Sequence, residues 1–508
     1  MDYAHGKTTG FTAGDLSYGG RFSFGGSGWW SSMIKITSEK YREYARDAVK
    51  DLRLKGAIAI LQERIGQAGI AAINALPEGR TLRLVGKGLR KEAVENLDIL
   101  LERLADSVRK NGGEVFFAAD AKEAVDYCVA VAKKNSVKLA VKGKSMVTEE
   151  IGLNDALFTA GIEAVETDLG EYIVQLAGER PSHIIAPAIH KTKGEIGALF
   201  AEKLKVAYTD DPEALTRIAR KTLRKKLLTA EMGITSCNMA CAATGHITLV
   251  SNEGNIRMAT TMPPVHLAFM GMERIAARLE DHHILMRLLT RGAAAQKMST
   301  YVSYISGAGG RDRVDGPGAF HLVILDNGRS KILADDRFRE VLQCLRCGAC
   351  LNVCPVYAQI GGHAYGSPYP GPIGAVISPL LFGVNRCAHL CLGETLCGAC
   401  KDACPVDIDI PRMLLELRAM LADGDGRWET RRRSPVDRGI FWVWRWLIAD
   451  RRRYERFLKS AFLLSKIFPR RKGMIRRLPP PFNGWTEKRD FKPLAPKSFM
   501  RQWREKRG

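Results

Sequence analysis

Apolar residues first recur at helical spacing between about Ser38 and Leu76, through Tyr41, Ala45, Val49, Leu52, Ala57, Ile60, Leu61 and Ile65. Beyond that segment the period changes. Short apolar runs, Val115–Ala118, Leu139–Val141, Ile184–Ala186, Ile247–Val250, Val265–Met270 and Leu322–Leu325, read as strands. Between them Ala121–Lys134, Pro212–Thr229 and Glu273–Thr290 read as helices. Strand–helix alternation over roughly 250 residues predicts an α/β domain with a largely parallel sheet. Arg311–Gly318 reads as a loop, and Asp335–Leu345 as a helix that leads into a cysteine-rich stretch. Five segments follow: a Gly-rich extension expected to be disordered (1–32), a helical segment (33–79), the α/β domain (80–330), the cysteine domain (335–421) and, after Gly424 and Gly426, a C-terminal region (427–508).

Composition sharpens two of these segments. Of the 12 cysteines, nine lie between Cys344 and Cys404, a density that points to metal rather than a disulfide framework. From Arg427 onward there are 25 Lys and Arg against 7 Asp and Glu, so most of the formal charge of +22 sits in one tail. Such a tail suits an acidic partner or an anionic surface, and a solvated basic face is the equal alternative. No recognition motif accompanies the charge, so nucleic acid is not expected. The tail also carries the aromatic run Phe441–Trp446. Packing against the α/β domain or a partner explains that run, and peripheral contact with a membrane is the alternative. No stretch reaches the ~20 apolar residues of a membrane helix and no secretory signal is visible, so the expected compartment is the cytoplasm.

The first cysteine motif is Cys344-x2-Cys347-x2-Cys350-x3-Cys354-Pro355, the spacing of bacterial two-cluster ferredoxins. Three thiolates at x2 spacing reach three corners of one iron–sulfur cube, and the fourth cysteine turns toward a second cube. The second motif, Cys397-x2-Cys400-x3-Cys404-Pro405, ends the same way but has Glu394 where its first cysteine belongs. Crossed ligation assigns Cys344, Cys347, Cys350 and Cys404 to one [4Fe–4S] cluster, and Cys354, Cys397 and Cys400 to the other. The fourth ligand of the second cluster is expected to be Cys391, with Cys387, or no ligand and so a three-iron cluster or an open iron, as alternatives. Zinc sites prefer two ligand pairs separated by a longer loop.

The cysteine domain, with Ile360–Gly366 and Tyr369–Gly374, resembles the lactate utilisation protein B family. So do Glu166–Glu171, Ala186–Lys191 and Asn252–Asn255 in the α/β part, and Gly484–Thr486 and Arg489–Phe491 in the tail. The resemblance runs from about Met33 to the C-terminus. It implies a lactate-utilisation (LUD) domain similar to sugar isomerases and CoA transferases, then an α-helical two-cluster ferredoxin-type domain and a basic C-terminal region. It also implies an electron-transfer role in an L-lactate dehydrogenase-type complex that converts lactate to pyruvate. The implied partners are a cysteine-rich CCG-domain subunit and a smaller LUD-domain subunit. Two other readings are a self-contained 2-hydroxy acid oxidoreductase acting at the LUD pocket, and a scaffold with structural clusters.

Other candidates carry less. Cys237 and Cys241, four apart, are read as small buried hydrophobes rather than a redox pair, and Cys128 as core. His183, His190 and His266 are read as satisfied core or surface histidines. His363 and Tyr365 lie between the cysteine motifs, where they either tune a cluster or pack a loop. Val141–Ser145 lacks the full spacing of a phosphate loop.

Overall fold

The computed structural model describes residues 36–309, 316–431, 435–471, 473–480, 482–487 and 489–507; the expected disordered extension and most of the 311–318 loop lie outside the described residues. In chain order, the strands up to residue 325 are β1 (Glu114–Ala118), β2 (Leu139–Lys142), β3 (Glu163–Glu166), β4 (Met232–Ser236), β5 (Met239–Cys241), β6 (Ile247–Ser251), β7 (Val265–Gly271), β8 (Ile275–Ala276), β9 (Tyr301–Ile305) and β10 (Ala319–Leu325). Six of them form a sheet in the order β1-β10-β7-β4-β2-β3, and every pairing is parallel. The rest form a smaller sheet, β8-β5-β6-β9.

Both faces of the large sheet are covered, as a parallel sheet requires. On one face Ala124, Val125, Cys128 and Val131 of helix Ala121–Lys134 pack on Ile234, Leu267 and Val323. On the other, Leu97, Leu100, Leu104 and Val108 of helix Leu97–Lys110 pack on Met270, Leu322 and Ile324. The helices begin where side chains satisfy their free N–H groups. Asp120 accepts from the Glu123 amide, and Asp211 accepts from the Ala214 amide just ahead of Pro212.

Three expected elements differ. Asp335–Leu345 is not an α-helix: the Asp335 carboxylate accepts from the Arg337 amide at 3.1 Å and bends the chain, and only the 3-10 segment Arg339–Gln343 follows. Ile184–Ala186 is not a strand, because His183 Nδ1 accepts from the amides of Ile185 and Ala186 at 3.0 and 3.1 Å. Those N–H groups are then lost to any ladder, and Pro181 and Pro187 bracket the segment. The helix expected from Glu273 starts only at Leu279, since Ile275 and Ala276 pair with Ala240 and Cys241. Cys241 therefore sits in a strand and Cys237 just beyond another; both are buried and share no helical face.

Ahead of the sheet lie helices Tyr41–Ala48, Leu52–Leu61 and Ala68–Asn74, the last two joined by a π-helical stretch, Gln62–Gln67. The chain divides at Arg418 into two compact units. The first holds these helices, the α/β layers and both cysteine motifs together. The second includes helices Pro435–Ile448 and Arg451–Ser465, held to each other by the Trp444–Phe457 edge contact and by Arg453 stacked 4.4 Å above Trp446. Among the described residues no helix is long and apolar enough to cross a membrane.

Candidate iron–sulfur centres and the adjoining cavity

Three strands of the large sheet deliver a buried ionic cluster to their C-terminal ends, where open α/β sheets place their sites. Glu150 follows β2, Glu273 follows β7 and Arg329 follows β10. Arg329 bonds Glu150 and Glu273, each at 2.8 Å, and the Tyr369 hydroxyl donates to Glu150 at 2.5 Å. Arg346, within the first cysteine motif, stacks 4.6 Å over the Tyr369 ring. The cysteine region is thus fastened directly onto the sheet edge.

The first motif is a loop between short 3-10 turns at Arg339–Gln343 and Leu351–Val353. Cys347, Cys350 and Cys404 are buried and Cys344 is half-buried. Burial raises the Cys347 thiol, and Cys344 and Cys404 beside it raise it further. Cys350 is raised by burial and then by Cys344 and Cys347. Burial likewise pushes Cys404 up to about 11, with Cys344 adding to it. As thiolates the buried sulfurs would repel one another, and a bound cation would relieve that. A Cβ added to Gly292 would lie 3.3 Å from the Cys347 sulfur and 3.1 Å from Pro405, so helix Leu279–Ala294 closes tightly over this set.

The second set lines one cavity: Cys354, Cys397 and Cys400, together with Glu394, Pro372 and Leu414. Glu394 is only 7% exposed. Its Oε2 accepts from the Cys354 thiol at 3.5 Å and its Oε1 accepts from the Tyr365 hydroxyl at 3.0 Å. Burial raises the Glu394 carboxyl above the usual range. Cys391, the expected fourth ligand, does not line this cavity. Helix Ala388–Gly393 holds it, and its thiol donates to the Ala388 carbonyl at 3.3 Å. Arg418 fixes that turn by donating to the Cys391 and Glu394 carbonyls. Cys387 is buried beside Ser38.

Arginines hold carbonyls of the first set, and a neutral glutamine holds one of the second. Arg83 donates to the Cys404 carbonyl at 3.0 Å and Arg274 to the Cys344 carbonyl at 2.7 Å, while Gln62 of the π-helical stretch donates to the Cys354 carbonyl at 3.1 Å. Soft sulfur donors, the first set largely buried and framed by arginines and the second lining one cavity with Cys397 exposed, fit anionic iron–sulfur clusters. Among the described residues no three His, Cys, Asp or Glu side chains converge on a single-ion position. Thiolates around a cube stand farther apart than ligands around one ion.

A larger cavity opens beside the first set, lined by Lys142, Lys144, Glu149, Glu171, Arg180 and His183 among others. Burial alone would lower the Lys142 ammonium, but Glu166 at 2.7 Å holds it above its ordinary range. Burial lowers Lys144 and pushes Glu149 up to about 7. His183, with Nδ1 accepting two amides, carries its proton on Nε2 and donates to Asn352 Oδ1 at 3.0 Å. Burial, then Lys144, lowers His183 to about 4, so the ring is neutral. Asn352 lies between Cys350 and Cys354. One loop, Pro181–Ala186, therefore walls the cavity and buttresses the cysteines.

Of the other candidate histidines, His190 and His363 meet residues of this cavity's wall and His266 does not. His190 and Lys191 both bond Glu179, His363 bonds the Arg180 carbonyl, and His266 bonds Thr235 inside the sheet. Sequence reasoning missed Arg90, a fully buried guanidinium that donates to the carbonyls of Glu273, Ile275, Leu342 and Gln343. It also missed Lys144, Glu149 and Glu171 as one group, although the Lys142–Ser145 and Glu166–Glu171 segments were the available signals.

Residues 101–325 match the LUD domain, and residues 340–408 match a 4Fe-4S dicluster domain. Lactate utilization protein B of Bacillus licheniformis is 44% identical over 476 residues, covering 93% of this chain and 98% of the relative. The protein of the same name from Oceanobacillus iheyensis is 42% identical over 477 residues, with the same coverage of 93% and 98%. That from Bacillus cytotoxicus is 47% identical over 394 residues, covering 78% of this chain and 83% of the relative. With a LUD-type parallel sheet, a dicluster region mounted on its edge and this likeness along nearly the whole chain, the protein belongs to the lactate utilization protein B family.

Proposed function

We propose that this chain is the cytoplasmic iron–sulfur electron-transfer subunit of a multi-component system that oxidises L-lactate or a related 2-hydroxy acid to the 2-oxo acid. The observation that carries this reading is the shared wall. The Pro181–Ala186 loop lines the polar cavity and, through His183 and Asn352, braces the loop that bears Cys350 and Cys354. Cys344, Cys347, Cys350 and Cys404 would hold one cluster; Cys354, Cys397 and Cys400 would supply three ligands of the second. Such clusters take up and release electrons singly. The chain's own residues do the rest. Arg83, Arg274 and Gln62 hold the loop carbonyls in place, and Gly292 lets its helix pack close against Cys347 and Pro405.

The partners under this reading are a cysteine-rich CCG-domain subunit and a smaller LUD-domain subunit. The basic C-terminal region offers a surface for an acidic partner, with peripheral contact to an anionic membrane as the alternative. A second reading, oxidation at this chain's own cavity, draws support from the Lys144 ammonium and from Asn154 Oδ1, a buried acceptor in the same cavity without a partner among the described residues. Anaerobically purified protein, given L-lactate and a dye acceptor with and without the two partners, separates these readings. The expected result is clusters that cycle with a chemical reductant but reduce dye from lactate only with the partners present. Turnover by the chain alone would favour the second reading, and zinc without a redox signal would leave only a structural role.

A further inference from the structure

We propose that Glu394, and neither Cys391 nor Cys387, is the fourth protein ligand of the second cluster, which is therefore a [4Fe–4S] cube held by three thiolates and one carboxylate. The inference rests on the iron–sulfur reading above. It is carried by a backbone repeat inside the cysteine region. Aligning Cys397-Gly398-x-Cys400-x3-Cys404-Pro405-Val406 with Cys347-Gly348-x-Cys350-x3-Cys354-Pro355-Val356 puts Glu394 opposite Cys344.

The chain has the same conformation at the matched positions. Cys344 and Glu394 are both extended, with φ/ψ of −60/129° and −76/148°. The residue before the next cysteine is left-handed in each case, Arg346 at φ 58° and Leu396 at φ 59°. The glycine after that cysteine is also left-handed in each, Gly348 at φ 78° and Gly398 at φ 89°. A left-handed non-glycine residue is uncommon, and bulky Leu and Arg adopting it at equivalent places marks a loop bent to one purpose. That bend aims the Cys344 side chain into the first thiol set. The same bend aims Glu394 into the second.

Side-chain contacts agree with the backbone. By crossed ligation the partner of Cys344 is Cys404, and the partner of Glu394 is Cys354, whose thiol meets the Glu394 carboxylate at 3.5 Å. Glu394 lines the same cavity as Cys354, Cys397 and Cys400. The Tyr365 hydroxyl donates to Oε1 and thereby orients the group, leaving Oε2 on the thiol side. Cys391 is withheld by its own helix and by Arg418. A carboxylate oxygen is a harder donor than a thiolate, so the iron it holds is electronically distinct from the other three.

The test uses the full chain, purified anaerobically, with iron and acid-labile sulfide per chain and EPR spectra of the oxidised and reduced states. The wild type is expected to hold about eight iron. Glu394→Ala should fall to about seven and gain the oxidised-state signal of a three-iron cluster. Cys391→Ser and Cys387→Ser should match the wild type. Glu394→Cys should keep about eight iron but change the reduced spectrum and the potential of one cluster only. That variant keeps the proposal testable if Glu394→Ala does not fold. A wild-type protein with about seven iron and a three-iron signal would overturn the assignment, as would a changed second cluster in Cys391→Ser or Cys387→Ser. An unchanged spectrum and potential in Glu394→Cys would also overturn it. Absence of iron from the wild type would instead overturn the iron–sulfur reading itself, which is a different result.

Discussion

His266 and Cys347 show how far one side chain's surroundings set its chemistry. His266 lies in the middle of the sheet, hydrogen-bonded to Thr235, and burial with His321 nearby lowers it to about 3. An unfolded histidine takes its proton near pH 6.5, so above that pH the site adds no pH dependence. As pH falls from there toward about 3, the unfolded chain binds a proton that the native state refuses, and stability is lost. The loss should reach about 2 kcal/mol at a pH of about 5. Urea midpoints near pH 7 and pH 5 should show a smaller drop in His266→Gln than in the wild type; equal drops would place the effect elsewhere. Cys347 stands among three other thiols under Gly292. Cys347→Ser should lower iron from about eight to about four per chain and leave the second cluster's signal in place. Unchanged iron would remove Cys347 from the ligand set.

At the scale of elements, helix Gly79–Glu95 ties the sheet to the cysteine loops through Arg90. Its guanidinium meets the carbonyls of Glu273 and Ile275 on one side and of Leu342 and Gln343 on the other. Arg90→Met removes the donor and strands four buried acceptors. The expected cost is about 3–5 kcal/mol, read from the shift in denaturant midpoint of the cluster-loaded protein. A shift under about 1 kcal/mol would mean that water replaces the guanidinium. Helices Ala121–Lys134 and Pro212–Thr229 were legible from sequence because period and caps agree. Strand β3 was not, because Glu163 and Glu166 flank only two apolar residues and the strand is set by pairing with β2. The false strand at Ile184–Ala186 was apolar enough, but a side-chain hydrogen bond took its amides.

The whole molecule divides after Arg418, within the helix Ile410–Asp423. Arg418 is also the residue that holds the Cys391 and Glu394 carbonyls. A chain ended after Asp423 should therefore keep both clusters. One ended before Ile410 should lose iron from the second while retaining the first, measured as iron per chain and by EPR. Loss of both clusters on the milder truncation would show that the basic region is needed to build them.

The sequence alone determined the cluster chemistry, because x2 and x3 spacings are local and ligate through a single loop. It determined the α/β class, because strand and helix periods differ along the chain. It also placed the surplus charge in the tail, which is a matter of counting. Only the tertiary structure decided which groups meet. Cys391 is three residues from Glu394 in the chain, yet a helical turn holds it away from the cavity that Glu394 enters. The loop 181–186 is some 170 residues from Asn352, yet His183 touches it. A spacing rule reports reach along the backbone. Contact across the fold depends on how the packed sheet edge orients each loop, and no local pattern carries that information.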